Sequence, residues 1–429
     1  MSLRQKIVQE IRERGPIPFS QYMEMCLYDP ESGYYSRNVE QFGKAGDFYT
    51  SSDVHAVFGR LLARQFDEMW RALGSPEQIE ILELGPGRGL FARDVLDWSE
   101  KKFPAFFEAL RYSLSERSPA LRERLKTTLD RHLAARKAEL TTMPESAPEG
   151  QNSTAHGVSR GSGVPKEQAP EGRKSLSLLA EPGEGTASTP PEDLRNLRAL
   201  APAVPLIVFA NEFFDALPVE VLSPKGELRI TEKDDRFLET WVPGSAENLA
   251  YLDRYSVPPA EGERVETARI AHRYMSRLAA SIERGFIVAI DYGYTRAEQL
   301  AGRHRGTVSA YRQHSVSDNP YQSPGEQDIT AHLNFTALAA AAEQRGMQVQ
   351  PLLTQSQFLM GIGEPNQFAD AFEDCRVPQE QAKVALQLKH LVTPAGLGET
   401  FHVLVASTGV AAETVANLSG LSFGKQNKR

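Results

Sequence analysis

The run Ile79-Glu80-Ile81-Leu82-Glu83-Leu84, followed directly by Gly85-Pro86-Gly87-Arg88-Gly89, constrains the fold more than any other stretch of this chain. Ile79, Ile81, Leu82 and Leu84 are apolar and strand-favouring, so the first part reads as a short buried strand. The glycines then let the backbone turn sharply and approach a ligand with no Cβ in the way. From Leu90 the sequence LFARDVLDW sets apolar residues at helical spacing, completing strand, loop and helix. Such a unit is the nucleotide-cradling corner of a doubly wound α/β domain.

Glycine spacing narrows the ligand. A dinucleotide fingerprint would place glycines at 85, 87 and 90, but position 90 is Leu and the third glycine is Gly89. Glu83 also sets a carboxylate two residues ahead of Gly85, where it repels a diphosphate and attracts a sulfonium-bearing amino acid with its ammonium group. E-x-G-x-G-x-G is the pattern of S-adenosylmethionine sites, which makes that cofactor the expectation and a nicotinamide dehydrogenase the disfavoured rival. Glu116 ends a second expected strand, Tyr112–Glu116, 27 residues beyond Gly89. In this fold an acid there accepts the two ribose hydroxyls; its plainer role is a solvated carboxylate at a strand end.

Composition sets the outer bounds. The 429 residues are 41% hydrophobic and 24% charged, the profile of a soluble globular protein able to bury a core. A net charge of -8 and a pI near 5.7 leave no global basic field for nucleic acid. Two cysteines, Cys26 and Cys375, cannot make a disulfide framework or a structural zinc site, and both are expected to be buried free thiols. No apolar run approaches the roughly 20 residues that cross a bilayer. The N-terminal MSLRQKIVQEIRER reads as an amphipathic helix with Leu3, Ile7, Val8 and Ile11 on one side; Glu10 and Glu13 spoil a transit-peptide pattern, and a cytoplasmic protein is expected.

Along the chain, residues 1–78 read as an N-terminal helical cap. It holds a second helix ended by Asp29-Pro30, a loop over GYYSRNVEQFGKAGDFYTSSDV, and a longer helix capped by Ser52 or Asp53. That last helix buries Val57, Phe58, Leu61, Leu62, Phe66, Met69 and Trp70. The α/β core takes 79–140 and 200–219, with Pro205–Ala210 as a central parallel strand, and resumes over 285–429. In that last part FIVAIDYG is a further strand, FHVLVASTG a final, antiparallel edge strand, and 303–345 a substrate-side segment. Residues 141–193 contain no Ile and no aromatic, and 141–199 is expected to be a disordered insertion. Residues 220–284 read as an α+β insertion on the substrate side, with a hairpin in LRITEKDDRFLETWVP and a helix over RVETARIAHRYMSRLAASIERG.

Polar residues at the carboxyl ends of the strands are the catalytic candidates. Asn211, Glu212 and Asp215 in NEFFDALP are expected to handle the substrate, with Phe213, Phe214 and Leu217 as packing; Glu212 could instead be a helix N-terminal acid. Gly46-Asp47-Phe48-Tyr49-Thr50-Ser51 either closes over the cofactor or caps the helix that follows. Asp291-Tyr292-Gly293-Tyr294 borders the same crevice. Asp328 and His332, at i,i+4, share one face of an expected helix with a surface His, and the pair is too few for a metal, so none is expected.

With these residues assembled, the chain resembles the MidA/NDUFAF7-type family of class I S-adenosylmethionine-dependent methyltransferases. The matching stretches are GPIPFSQYMEMCLYDPESGYY, GDFYTSSDVHAVFG, ILELGPGRG, NEFFDALPVE, DYGY, RGTVSAYRQH, GEQDITAHLNFTAL and GLGETFHVLVAS, spread over most of the chain outside 141–193. The resemblance implies an α/β, Rossmann-like methyltransferase sheet and cofactor contacts from Glu83, Gly85, Pro86, Gly87, Gly89 and Glu116. It places Asp47, Thr50, Ser51 and the stretch Asn211–Asp215 along the active site. It further implies a protein arginine methyltransferase, as the mitochondrial members are, acting in assembly of respiratory complex I. The lack of a presequence fits a bacterial member. A small-molecule methyltransferase and a non-catalytic assembly factor on the same fold remain as alternatives.

Overall fold

A computed structural model describes residues 1–37, 56–141, 204–312, 315–317 and 319–423. The loop that carries Asp47, Thr50 and Ser51, the caps Ser52 and Asp53, and all of the expected insertion except Thr141 lie outside them.

The chain opens on helix α1 (Leu3–Arg14), whose N-terminus is closed by a reciprocal Ser2–Gln5 capping box. Strand β1 (Ile17–Pro18) leads into α2 (Phe19–Tyr28), which stops at Asp29 ahead of Pro30. Helix α3 (Val57–Ala72) follows, with Ala56 at its N-cap and no side-chain cap bond. Next come β2 (Ile79–Leu84), α4 (Leu90–Lys102), β3 (Leu110–Ser115), α5 (Pro119–Thr128) and β4 (Ala138–Thr141). The chain continues through β5 (Leu206–Asn211), β6 (Glu220–Ser223), β7 (Gly226–Lys233), β8 (Arg236–Val242), β9 (Val265–Thr267), α6 (Arg269–Ser281) and β10 (Gly285–Tyr294). Strands β11 (Ser309–Arg312), β12 (Ser315–Ser317), β13 (Asp328–Thr330) and β14 (Leu333–Asn334) precede helix α7 (Phe335–Glu343). Strands β15 (Gln348–Val349), β16 (Leu353–Thr354) and β17 (Phe401–Thr408) end the central sheet.

That sheet runs β15–β17–β10–β5–β2–β3–β4. Strands β10, β5, β2, β3 and β4 are parallel, and β17 lies antiparallel to β10. Continuous apolar runs were the sequence mark of strands covered on both faces, and β2 is buried at all six positions. The side chains alternate between two cores. Leu82, Leu84, Val208, Ala210, Ile287 and Ala289 face one; Ile79, Ile81, Ile207, Phe209, Val288 and Ile290 face the other. From β2 the chain builds outward through β3 and β4, then returns to β5 and builds the other way. The order therefore reverses between β2 and β5, and a crevice opens at their carboxyl ends.

Helix α3 belongs to this sheet and not to a cap. Its buried stripe packs with α4 in the second core, where Phe66 meets Phe91 and Phe209, and the latter two rings stack at 4.4 Å. The N-terminal segment is likewise not purely helical. Strand β1 pairs antiparallel with β7, so it joins β6, β9 and β8 in a five-stranded second sheet. Residues Leu3, Ile7, Phe19, Tyr22 and Leu27 share one core with Ile230 and Phe237 of that sheet. The hairpin read from alternation is β7–β8. The helix expected over 264–285 is shorter: Val265–Thr267, buried at all three positions, pairs antiparallel with β6 as a strand.

Asp328 and His332 do not share a helical face. Asp328 lies in β13, which pairs with β11, and His332 follows the strand with a half-buried ring. Cys375 is only half-buried, whereas Cys26 is fully enclosed. No helix among the described residues is long and apolar enough to cross a membrane.

Candidate active site

A cavity of about 320 Å³ lies in the crevice between β2 and β5. Its floor is the turn after β2. Gly85, Gly87 and Gly89 all take positive φ, at 62°, 53° and 75°, so the sequence supplies glycine where a side chain would strain the backbone. Gly85, Pro86, Gly87 and Glu83 line the cavity. Gly89 does not. A Cβ there would come within 2.6 Å of Leu125 on α5, so this glycine permits close helix packing beneath the site.

Two carboxyls flank the turn. Glu83 is 5% exposed and accepts a hydrogen bond from Tyr112 Oη at 2.9 Å; burial pushes it up to about 8, with the nearby Glu116 adding to the rise. Glu116 stands just past the end of β3, 7% exposed, and accepts from the Ser118 N–H at 2.8 Å. Burial pushes it up to about 7, against the pull of the Ser118, Arg117 and Gly87 backbone amides. It is a buried cavity-wall residue, not a solvated strand end. Two enclosed carboxyls with so few charge partners suit a ligand that brings hydroxyl donors and positive charge.

The second wall comes from the turn after β5. Asn211 and Glu212 line the cavity with Phe213 and Ala216. Glu212 has φ 50°, a conformation sparsely used by residues with a Cβ, and it is not the first residue of a helix. Asn211 Nδ2 donates to Glu212 Oε1 at 3.0 Å, while Asn211 Oδ1 is buried with no hydrogen-bond partner among the described residues. Asp215 is set back from the cavity. Its Oδ2 accepts from Tyr292 Oη, its backbone O accepts from the Ala331 N–H at 3.0 Å, and burial pushes its carboxyl up. The left-handed step at Glu212 turns the following residues toward β10, which a count along the sequence does not disclose. Asp291, at the end of β10, is 1% exposed and also pushed well up by burial and by Asp215.

Residues that were not singled out in the sequence complete the cavity: Tyr28, Pro30, Tyr35 and Ser36 from the N-terminal segment, and Arg117 after β3. Tyr28 Oη donates to Ala216 O at 2.9 Å, and Tyr35 Oη donates to Asp328 at 3.0 Å. The three tyrosines of the run Tyr28–Tyr35 were the available signal, since aromatic rings clustered about a Pro-Glu-Ser-Gly turn carry a large apolar area to bury. Among the described residues, no group of three His, Cys, Asp or Glu could hold a metal ion.

The donor set and the space fit an S-adenosylmethionine-like ligand. Glu116 offers the paired acceptor for ribose hydroxyls, the glycine turn offers bare backbone, and Glu83 and the unpartnered Asn211 Oδ1 offer acceptors for an ammonium.

Known proteins agree with this geometry. A sequence profile of S-adenosyl-L-methionine-dependent methyltransferases matches residues 61–353. The chain is 29% identical to the mitochondrial protein arginine methyltransferase NDUFAF7 homolog of Drosophila melanogaster, over 96% of this chain and 86% of the relative. Its identity to the mitochondrial protein arginine methyltransferase NDUFAF7 of Rattus norvegicus is 26%, over 92% and 82% of the two chains. A COG1565 superfamily member from Burkholderia thailandensis, solved bound to S-adenosyl-homocysteine, superposes with a TM-score of 0.72 at 26% identity, covering 97% of this chain and 94% of that one.

Proposed function

Because the chain belongs to the family of S-adenosyl-L-methionine-dependent methyltransferases, we propose that it transfers the methyl group to an arginine side chain of a partner protein, with Glu212 as the residue that receives the guanidinium. S-adenosylmethionine, when bound, supplies a methyl group already activated for transfer. The chain's own residues hold the donor, position the acceptor nitrogen and take up a proton.

Glu83, Gly85, Pro86, Gly87 and Glu116 hold the donor. Asn211 and Glu212 line the cavity beside the glycine turn, since Leu84 of β2 pairs with Ala210 of the neighbouring β5. A guanidinium has a pKa above 12 and keeps its proton tightly. A carboxylate that grips two of its N–H groups localises charge away from the attacking nitrogen and accepts a proton late. Asn211 Nδ2 fixes the Glu212 carboxylate for that task. Asp47, Thr50 and Ser51 are proposed as a cover over the donor. Asp215 is proposed to support the loop instead of touching substrate.

The observation that carries this reading is the position of Glu212, the acid held in a left-handed turn on the wall of the donor cavity. The names of the mitochondrial relatives add support for arginine on a protein; a role in assembly of respiratory complex I is proposed on the family resemblance alone. Quantitative mass spectrometry of cells with and without this chain tests it. Arginine sites that lose methylation on deletion, and regain it with the wild type but not with Glu212→Gln, are expected. Unchanged arginine methylation alongside a changed small metabolite would overturn it.

A further inference from the structure

Strand β10 holds the loop that carries Glu212 at three backbone amides, besides the Tyr292 Oη bond to Asp215 already described. Ile290 O accepts the Glu212 N–H at 3.0 Å. One carboxyl oxygen of the next residue, Asp291 Oδ2, accepts the N–H of Phe214 at 3.0 Å and that of Asp215 at 3.3 Å. The other oxygen accepts the Tyr292 N–H at 2.9 Å, which fixes the carboxyl's orientation at the strand end. Asp291 is fully buried and takes no part in the cavity wall.

These bonds bracket the strained residue. Glu212 holds φ 50°, and the amides on either side of its turn are tied to the same two residues of β10. Without the Asp291 oxygen, two buried N–H groups lose their acceptor, and the turn loses a main support for a backbone conformation that L-residues avoid. A relaxed turn would swing the Glu212 carboxylate off the wall it shares with the glycine turn.

We infer that Asp291 is a positioning residue for methyl transfer: by accepting the Phe214 and Asp215 amides on one oxygen, it keeps Glu212 in the left-handed turn that faces the donor cavity. The inference rests on the reading of Glu212 given above. What the turn needs from position 291 is an acceptor oxygen, not a charge. Asparagine keeps one oxygen for the Phe214 and Asp215 amides but turns its Nδ2 onto the Tyr292 N–H, so it should retain most of what alanine loses.

The test compares Asp291→Ala, Asp291→Asn and Glu212→Gln in the full chain. Transfer of labelled methyl from S-adenosylmethionine is followed into proteins extracted from cells that lack the chain. Affinity for S-adenosylhomocysteine is measured by calorimetry, and backbone amide exchange is followed over 211–217. Asp291→Ala is expected to lower turnover on the order of 100-fold with donor KM unchanged, and to speed exchange in that segment. Asp291→Asn is expected to keep most of the turnover and slow exchange over 211–217, since one oxygen still serves the Phe214 and Asp215 amides, and it carries the test alone if the alanine variant does not fold. Full turnover in Asp291→Ala, or loss in Asp291→Asn equal to that in alanine, would overturn the inference. Full turnover in Glu212→Gln together with faster exchange in Asp291→Ala would instead overturn the role of Glu212 and leave the clamp standing.

Discussion

At the residue scale, the two carboxyls of the donor cavity make binding sensitive to pH. Burial raises Glu116 to about 7 and Glu83 to about 8 from ordinary values of 4.5. The ligand-free protein therefore holds more protons than its unfolded chain between roughly pH 4.5 and 8, so these groups make its stability fall as pH rises through that window. A cationic donor favours the charged carboxylates. S-adenosylmethionine should accordingly bind more tightly as pH rises from 6 to 8.5, with proton release visible when calorimetry is repeated in buffers of different ionisation enthalpy. Glu83→Gln should flatten the upper part of that rise; an affinity independent of pH in the wild type would contradict this picture. Glu212→Gln should lower turnover by about 100-fold while donor affinity is kept. An equal loss of both would put Glu212 in the donor half of the cavity. Glu83 and Glu116 could be read from the sequence because their places follow from strand ends and a glycine turn. The setback of Asp215 could not, because it depends on one backbone dihedral at Glu212 that no residue pattern encodes.

At the scale of elements, the helix layer beneath the glycine turn is held by ring packing. Phe91 of α4 stacks on Phe209 of β5 at 4.4 Å and meets Phe58 and Phe66 of α3. Phe91→Ala should cost about 3–5 kcal/mol, seen as a lower midpoint in urea; a change below about 1 kcal/mol would mean the stack is not under load. Gly89→Ala meets both a positive φ and Leu125 at 2.6 Å. It should destabilise the fold even without donor present, whereas Gly87→Val should chiefly abolish donor binding. The core strands were legible because β5 and the first half of β10 are continuous apolar runs, a pattern doubly covered strands need, and β2 runs straight into a glycine turn. The short strands were not. Val265–Thr267 and Asp328–Thr330 are each three residues long and owe their conformation to partners distant in sequence, β6 and β11, so local periodicity misleads there.

At the scale of the molecule, the donor crevice is finished by a segment that precedes the sheet. The second sheet joins β1 to strands some two hundred residues later, and α2 then carries Tyr28 to the cavity. Tyr28→Phe removes the Oη bond to Ala216 O and should cost about 1 kcal/mol. It should also weaken donor binding, both measurable on one purified sample; loss of stability without loss of affinity would confine Tyr28 to packing. The N-terminal strand was invisible in sequence because two residues, Ile17 and Pro18, show no period. The most direct measurement on the molecule as a whole is a single-turnover reaction. Purified protein loaded with S-adenosylmethionine labelled in the methyl group is mixed with extract from cells lacking the chain, and the protein product is hydrolysed to amino acids. Label in methylated arginine, appearing about 100-fold more slowly with Glu212→Gln, is the predicted result; label confined to small metabolites or to another amino acid would contradict it.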